Sequence, residues 1–95
     1  MNFRIQFTPE ADHQYRQLPE AKLKKVRRAI GYLQTNPRHP SLNTHLYTGY
    51  ENPFQRGCPV FEAYAENRTP GAYRIFWCYG PNKGQVAIIA ITPHP

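Results

Sequence analysis

The sequence predicts an α+β fold, a two-layer sandwich in the order β-α-α-β-β-β with a helical hairpin packed on an antiparallel sheet. Three observations predict it. Phe3-Arg4-Ile5-Gln6-Phe7 alternates apolar and polar side chains, as a half-buried strand does. Two helix openings follow closely, Thr8-Pro9-Glu10 and Pro19-Glu20-Ala21. The last quarter reads as a hairpin, with aromatic and β-branched runs bounded by Gly, Pro and Asn. At 95 residues the chain can bury one modest core, so residues 1–95 are expected to form a single domain.

Each element has its own justification. Residues 3–7 form the first strand. Thr8 is placed to cap a helix, Pro9 to occupy its first position, and Glu10 to favour the positive end of its dipole. Leu18-Pro19 ends that short helix and begins another. In the second helix Leu23, Val26, Ile30 and Leu33 recur at helical spacing as one apolar stripe. Asn36-Pro37 stops it, because the residue before a proline avoids the helical region. Residues 37–58 read as irregular. A strand is expected over residues 60–65 and a turn over 66–71. The closing hairpin runs over residues 72–79, a loop at 80–84, and residues 85–91.

The hairpin's faces follow from its register. If Tyr79 pairs with Gln85, Arg74 lies opposite Ala90, and Ala90, Thr92 and His94 share the face of Arg74. His94 then sits about 13 Å beyond that partner. A bound phosphodiester can bridge a fixed cation and a titratable imidazole so placed. Ile75 and Trp77, with Ala87, Ile89 and Ile91, are assigned to the helix-covered side. Arg74, Phe76 and Cys78, with Val86, Ile88 and Ala90, are assigned to the other. A slip of one residue reverses these faces.

Composition narrows the function. The formal net charge is +6, from 12 Lys and Arg against 6 acids, which suits a polyanionic partner such as nucleic acid. No apolar run approaches the ~18 residues of a membrane span, and no signal peptide is read ahead of the first strand. The protein is therefore expected in a reducing cytoplasm, away from membranes. Cys58 and Cys78 have no metal-ligand spacing. Cys78, in a strand among aromatics, reads as a small buried hydrophobe, and a disulfide between the two stays open. Four histidines without a carboxylate cluster at ligand spacing give little support to a metal site, and no cofactor is expected.

The helical hairpin with its Lys/Arg-rich second helix, the Asn36-Pro37 stop and above all Tyr73-Arg74-Ile75-Phe76 resemble the RelE/ParE toxin superfamily of type II toxin–antitoxin systems. Thr92-Pro93-His94 and Thr44-His45-Leu46-Tyr47-Thr48-Gly49 are similar to segments of its RelE/YoeB/YafQ-like branch. The likeness covers nearly the whole chain. It implies a metal-independent endoribonuclease that cuts messenger RNA on the ribosome, uses the substrate's 2′-hydroxyl as nucleophile, and is held inactive by a cognate antitoxin. The alternatives are a ParE-type gyrase inhibitor with the same fold and no catalysis, or an inactive RNA- or antitoxin-binding relic. The terminal and loop histidines favour the nuclease. Glu62 and Tyr64 depart from RelE, which has lysines near those positions, and keep the relic open.

Transesterification needs a base for the 2′-OH, a cation for the phosphorane and an acid for the 5′-oxygen. Arg74 suits the cation, since its fork matches phosphate oxygens. Its bland alternative is a sheet arginine paired with Glu62 or with a carboxylate in the turn. His94 suits the acid or base, imidazole being the side chain that ordinarily titrates near neutrality. Its alternative is a frayed end. His45 is a third candidate, with plain solvent exposure as its alternative. Glu62 is either a base or the ion-pair partner of Arg74. Tyr64, Tyr73 or Tyr47 can stack an unpaired base, although aromatics at strand spacing are more often core. Lys22, Lys24, Lys25, Arg27 and Arg28 either touch RNA phosphates or form the solvated face of an amphipathic helix.

Overall fold

A computed structural model describes residues 2–94. The chain runs β1 (Arg4–Phe7), α1 (Pro9–Arg16), α2 (Glu20–Thr35), a 3-10 turn (Pro40–Leu42), β2 (His45–Leu46), β3 (Phe61–Tyr64), β4 (Tyr73–Tyr79) and β5 (Gln85–Pro93). The five strands form one sheet in the order β1-β5-β4-β3-β2. The expected two layers are present. The helix boundaries follow the expected grammar: the Thr8 hydroxyl accepts from the Ala11 N–H at 3.2 Å, and α2 ends one residue before Asn36.

Two expectations about the sheet need correction. It is mixed, because β1 pairs parallel with β5 while the remaining pairs are antiparallel. β5 is therefore an interior strand with both faces covered, which is why residues 86–91 read as an unbroken apolar run. The irregular stretch also contains the 3-10 turn and β2, whose two residues are too short to carry a period-two signal. Beyond Phe7, α1 takes over the edge of β5. The Thr8 hydroxyl donates to the Ile89 carbonyl at 3.0 Å, and the Gln14 side-chain oxygen accepts from the Ile91 N–H at 2.7 Å.

The register of the closing hairpin also differs. Tyr79 pairs with Val86, and Arg74 with Thr92 in place of Ala90. Phe76 pairs with Ala90 but Trp77 with Ile88, so Ile89 is one surplus residue in β5, a β-bulge. On the far side of the bulge the faces invert relative to the regular ladder. Val86 and Ile88 pack under the helices with Ile75, Trp77 and Ile91, while Ala87 and Ile89 join Cys78 and Val60 on the opposite side. The assignments of Ile75, Trp77, Ile91, Arg74, Phe76, Cys78 and Ala90 hold, and those of Val86, Ala87, Ile88 and Ile89 are reversed.

The main core lies between the helices and the sheet. Val26, Ala29 and Leu33 of α2 and Ala11 of α1 meet Ala63, Ile75, Trp77, Val86 and Ile88. Trp77 and Leu33 are fully buried, each contributing on the order of 2–3 kcal/mol of transfer free energy. The other face is roofed at one end by residues of the loop after β2. Tyr47 packs tilted and Tyr50 edge-on against Phe76, with ring centroids 4.6 and 4.9 Å away. The end of that face near Thr92 lies outside this roof.

Candidate active site

The ladder decides which side chains meet at that end. Tyr64 pairs with Arg74 and Arg74 with Thr92, Glu62 with Phe76, and His45 with Glu62, so β2 to β5 send these side chains to one face. His94 extends β5, its N–H donating to the Ala72 carbonyl at 2.7 Å. This places His94 two residues closer to the partner of Arg74 than the sequence register implied.

Glu62 is the hub. Its side chain is 3% exposed, yet three cationic or titratable groups reach it. His45 Nε2 lies 2.6 Å from Oε1, His94 Nδ1 lies 3.3 Å from Oε2, and Arg74 Nε lies 3.7 Å from the same Oε2. The imidazoles themselves are about half exposed, at 46% and 53%. Buried carboxylate below and accessible imidazoles above is an arrangement for orienting proton-transfer groups toward a ligand.

The hydrogen-bond inventory sets where protons sit. His45 Nδ1 faces the Asn43 carbonyl at 2.9 Å, and a carbonyl can only accept, so Nδ1 carries a proton. His45 Nε2 faces a carboxylate oxygen, so a further proton lies in that 2.6 Å contact. The His45–Glu62 pair is therefore either imidazolium with carboxylate or neutral imidazole with carboxylic acid. His94 differs. With Nδ1 turned to Glu62, its Nε2 has no partner among the described residues and is left facing outward from the carboxylate. Asn43 is suited to its place, since it sits at φ 50°, in the left-handed region that asparagine tolerates.

Arg74 is held more tightly than the sequence implied. It is 7% exposed, its guanidinium carbon stands 3.7 Å from the centroid of the Tyr64 ring, and Nη1 donates to the Glu66 carbonyl at 2.6 Å. It thus satisfies the ion-pair alternative with Glu62 while fixed beside both histidines. Nε is buried without a hydrogen-bond partner.

Glu66, which the sequence marked only as part of a turn, anchors this end. Burial favours its neutral form, but the Lys22 hydrogen bond, the Tyr73 N–H and the charges of Lys22 and Lys25 outweigh it and hold the carboxyl below its ordinary range. Lys22 Nζ is 2.9 Å and Lys25 Nζ 4.0 Å from Oε2, and the Tyr73 N–H donates to Oε1 at 3.1 Å. Two of the five helix cations are therefore counter-ions of Glu66. Arg27 donates to the Tyr15 hydroxyl at 3.1 Å, Lys24 borders a shallow depression with Glu20 and Leu23, and Arg28 borders a hollow that Tyr64 also lines. These five side chains do not form one patch over Glu62.

His39 stacks on Tyr32 with ring centroids 4.0 Å apart, and its Nδ1 accepts from the Ser41 N–H at 3.1 Å. Cys78 is pushed up to about 11, by burial first and the neighbouring Cys58 second, against a hydrogen bond with Asn52, which suits a packed thiol and not a nucleophile. Both cysteines are free. Among the described residues no group of three His, Cys, Asp or Glu side chains could hold a metal ion, and no helix is long and apolar enough to cross a membrane.

A helical hairpin packed on a mixed five-stranded sheet is an α+β arrangement seen in solved structures. The chain has the fold of the RelE and YoeB toxins. It matches RelE from the RelE–RelB complex of Pyrococcus horikoshii at 15% identity and TM-score 0.69, over 98% of this chain and 96% of that one. The YoeB/ParE toxin of Agrobacterium tumefaciens matches at 13% identity and TM-score 0.69, over 97% and 99%. A chain of the RelBE2 toxin–antitoxin complex of Mycobacterium tuberculosis matches at 21% identity and TM-score 0.62, over 99% and 100%. No protein-family profile and no curated protein matches the chain by sequence.

Proposed function

We propose that this chain is the toxin of a toxin–antitoxin pair and a metal-independent endoribonuclease that cuts messenger RNA, with the ribosome as the setting and a cognate antitoxin as the inhibitor. One observation carries the proposal: His45, His94 and Arg74 converge on the buried Glu62 carboxylate, on the face away from the helices. The likeness to RelE and YoeB toxins supports it, and two of the matched toxins come from complexes with antitoxins.

In this reading Glu62 orients both imidazoles. His94 Nε2 takes the proton of the 2′-hydroxyl, whose oxygen attacks the adjacent phosphorus. The guanidinium of Arg74, stacked in place, stabilises the charge that accumulates on the phosphorane. The proton held within the His45–Glu62 pair passes to the departing 5′-oxygen, leaving a 2′,3′-cyclic phosphate and a free 5′-hydroxyl. His94 ends protonated and Glu62 ionised, and a proton exchange with solvent resets the pair.

The test is expression in bacteria with primer extension on messenger RNA. Cuts at defined codon positions are expected, and His94→Ala should abolish them while the purified variant keeps its fold. Intact messenger RNA, or cleaved gyrase–DNA complexes in its place, overturns the nuclease reading and favours the gyrase inhibitor.

A further inference from the structure

A hollow of about 170 Å³ lies between α2, the 3-10 turn and the end of β3, and Tyr64 of the Glu62 cluster is part of its wall. Arg28, Tyr32, Ser41 and Tyr64 border it together with Ala29 and Ala65. Every polar side chain in this wall carries a donor, and no carboxylate lines it. The Ser41 N–H is spent on His39, and Tyr32 is braced by stacking on the same His39 ring. Among the described residues, the Arg28 guanidinium and the hydroxyls of Tyr32, Ser41 and Tyr64 take part in no hydrogen bond or ion pair. A concave site built from a guanidinium and three hydroxyls, with nothing to accept from them, selects an acceptor-rich anion.

We infer that this hollow is a subsite for the phosphate of a nucleotide flanking the scissile one in single-stranded RNA. Chemistry argues for a phosphate: the wall offers a guanidinium and three hydroxyls, with no carboxylate to repel an anion. Position argues for the same strand that the Glu62 cluster would cut. Tyr64 is shared, one wall of the hollow and the ring under Arg74, and its edge meets His45 with centroids 5.8 Å apart. Tyr64 and Glu62 are two residues apart on β3, about 6.6 Å along the strand, so the ring that borders the hollow is the next same-face neighbour of the catalytic carboxylate. The hollow and the catalytic cluster would then grip neighbouring phosphates beside one aromatic ring.

The inference rests on the nuclease reading, so its test measures binding apart from cleavage. The probe is a short single-stranded RNA with a 2′-deoxy residue at the scissile position, titrated into the full chain and followed by NMR and calorimetry. Arg28→Gln and the double variant Tyr32→Phe/Ser41→Ala should each weaken binding about five- to tenfold, and only the arginine variant should reduce the salt slope, by about one unit. Lys83→Gln, in the loop at the opposite end of the hairpin, measures the loss of one charge alone. Thermal melts of all variants report whether the fold is kept. Shift changes should gather on Ser41, Tyr32 and Tyr64. Equal weakening by Arg28→Gln and Lys83→Gln, or shifts confined to other surfaces, overturns the subsite. Inorganic phosphate is the second probe. Occupancy of the hollow by phosphate that RNA does not displace would mark a free-anion site and also overturn the assignment. RNA binding that behaves as expected in a chain that cleaves nothing would retain the subsite and remove the nuclease.

Discussion

Glu62 has two oxygens and three neighbours that compete for them, so its chemistry is unusually sensitive to a single-atom change. Glu62→Gln keeps the volume but replaces one acceptor oxygen with an NH2 group. Cleavage should fall about 10²- to 10⁴-fold, the range associated with losing positioned acid–base catalysis, and stability should fall by about 1–3 kcal/mol because the buried Arg74 loses its counter-ion. Arg74→Lys keeps the charge but loses the planar stack on Tyr64 and the bond to the Glu66 carbonyl. It should lower both cleavage and stability, the latter by about 1–2 kcal/mol in a denaturant titration. Glu66 gives a pH-dependent signature. Its carboxyl is lowered in the folded state, so its stabilisation is complete above the unfolded-state value and is lost as pH falls through the folded one. Glu66→Gln should therefore cost about 1–3 kcal/mol at pH 7, and the deficit should shrink below roughly pH 4.5 as the wild-type carboxyl takes up its proton. Melts across pH 3–7 check this; a deficit constant over the range would contradict it.

At the scale of elements, helix boundaries were legible and sheet register was not. Caps and prolines act locally, so Thr8-Pro9 and Asn36-Pro37 set their ends from sequence alone. Pairing depends on partners far along the chain. Nothing around Ile89 marks it as the surplus residue, because residues 86–91 are apolar on both sides of the bulge. The parallel docking of β1 was hidden for the same reason: the alternation of Phe3-Arg4-Ile5-Gln6-Phe7 signals a strand but not its direction. Gln14 was equally silent, a polar helix residue whose oxygen closes the free edge of β5. Gln14→Leu leaves the Ile91 N–H buried without that acceptor and should destabilise by about 1–3 kcal/mol in urea. Amide exchange at Ile91 should quicken in parallel, since α1 no longer holds that part of the strand.

For the molecule as a whole, the candidate site was readable as a list and unreadable as an arrangement. Arg74, His94, His45 and Glu62 were each nameable from residue type and resemblance. Their meeting at one carboxylate came from the pairing of four strands. The basic helix gave the opposite result: its cations look alike in sequence, yet Lys22 and Lys25 serve Glu66 while Arg28 borders the hollow that Tyr64 also lines. A net charge of +6 still makes association with RNA a counterion-releasing process. Affinity for single-stranded RNA should fall steeply between about 50 and 200 mM salt, and a flat response in a filter-binding titration would count against phosphate contacts.

The surplus residue in β5 gives the strand slack of one position. A chain shortened by Ile89 would zip into an even ladder and still deliver the imidazole to its carboxylate, whereas the same excision at Thr92 would swing it round toward the helices.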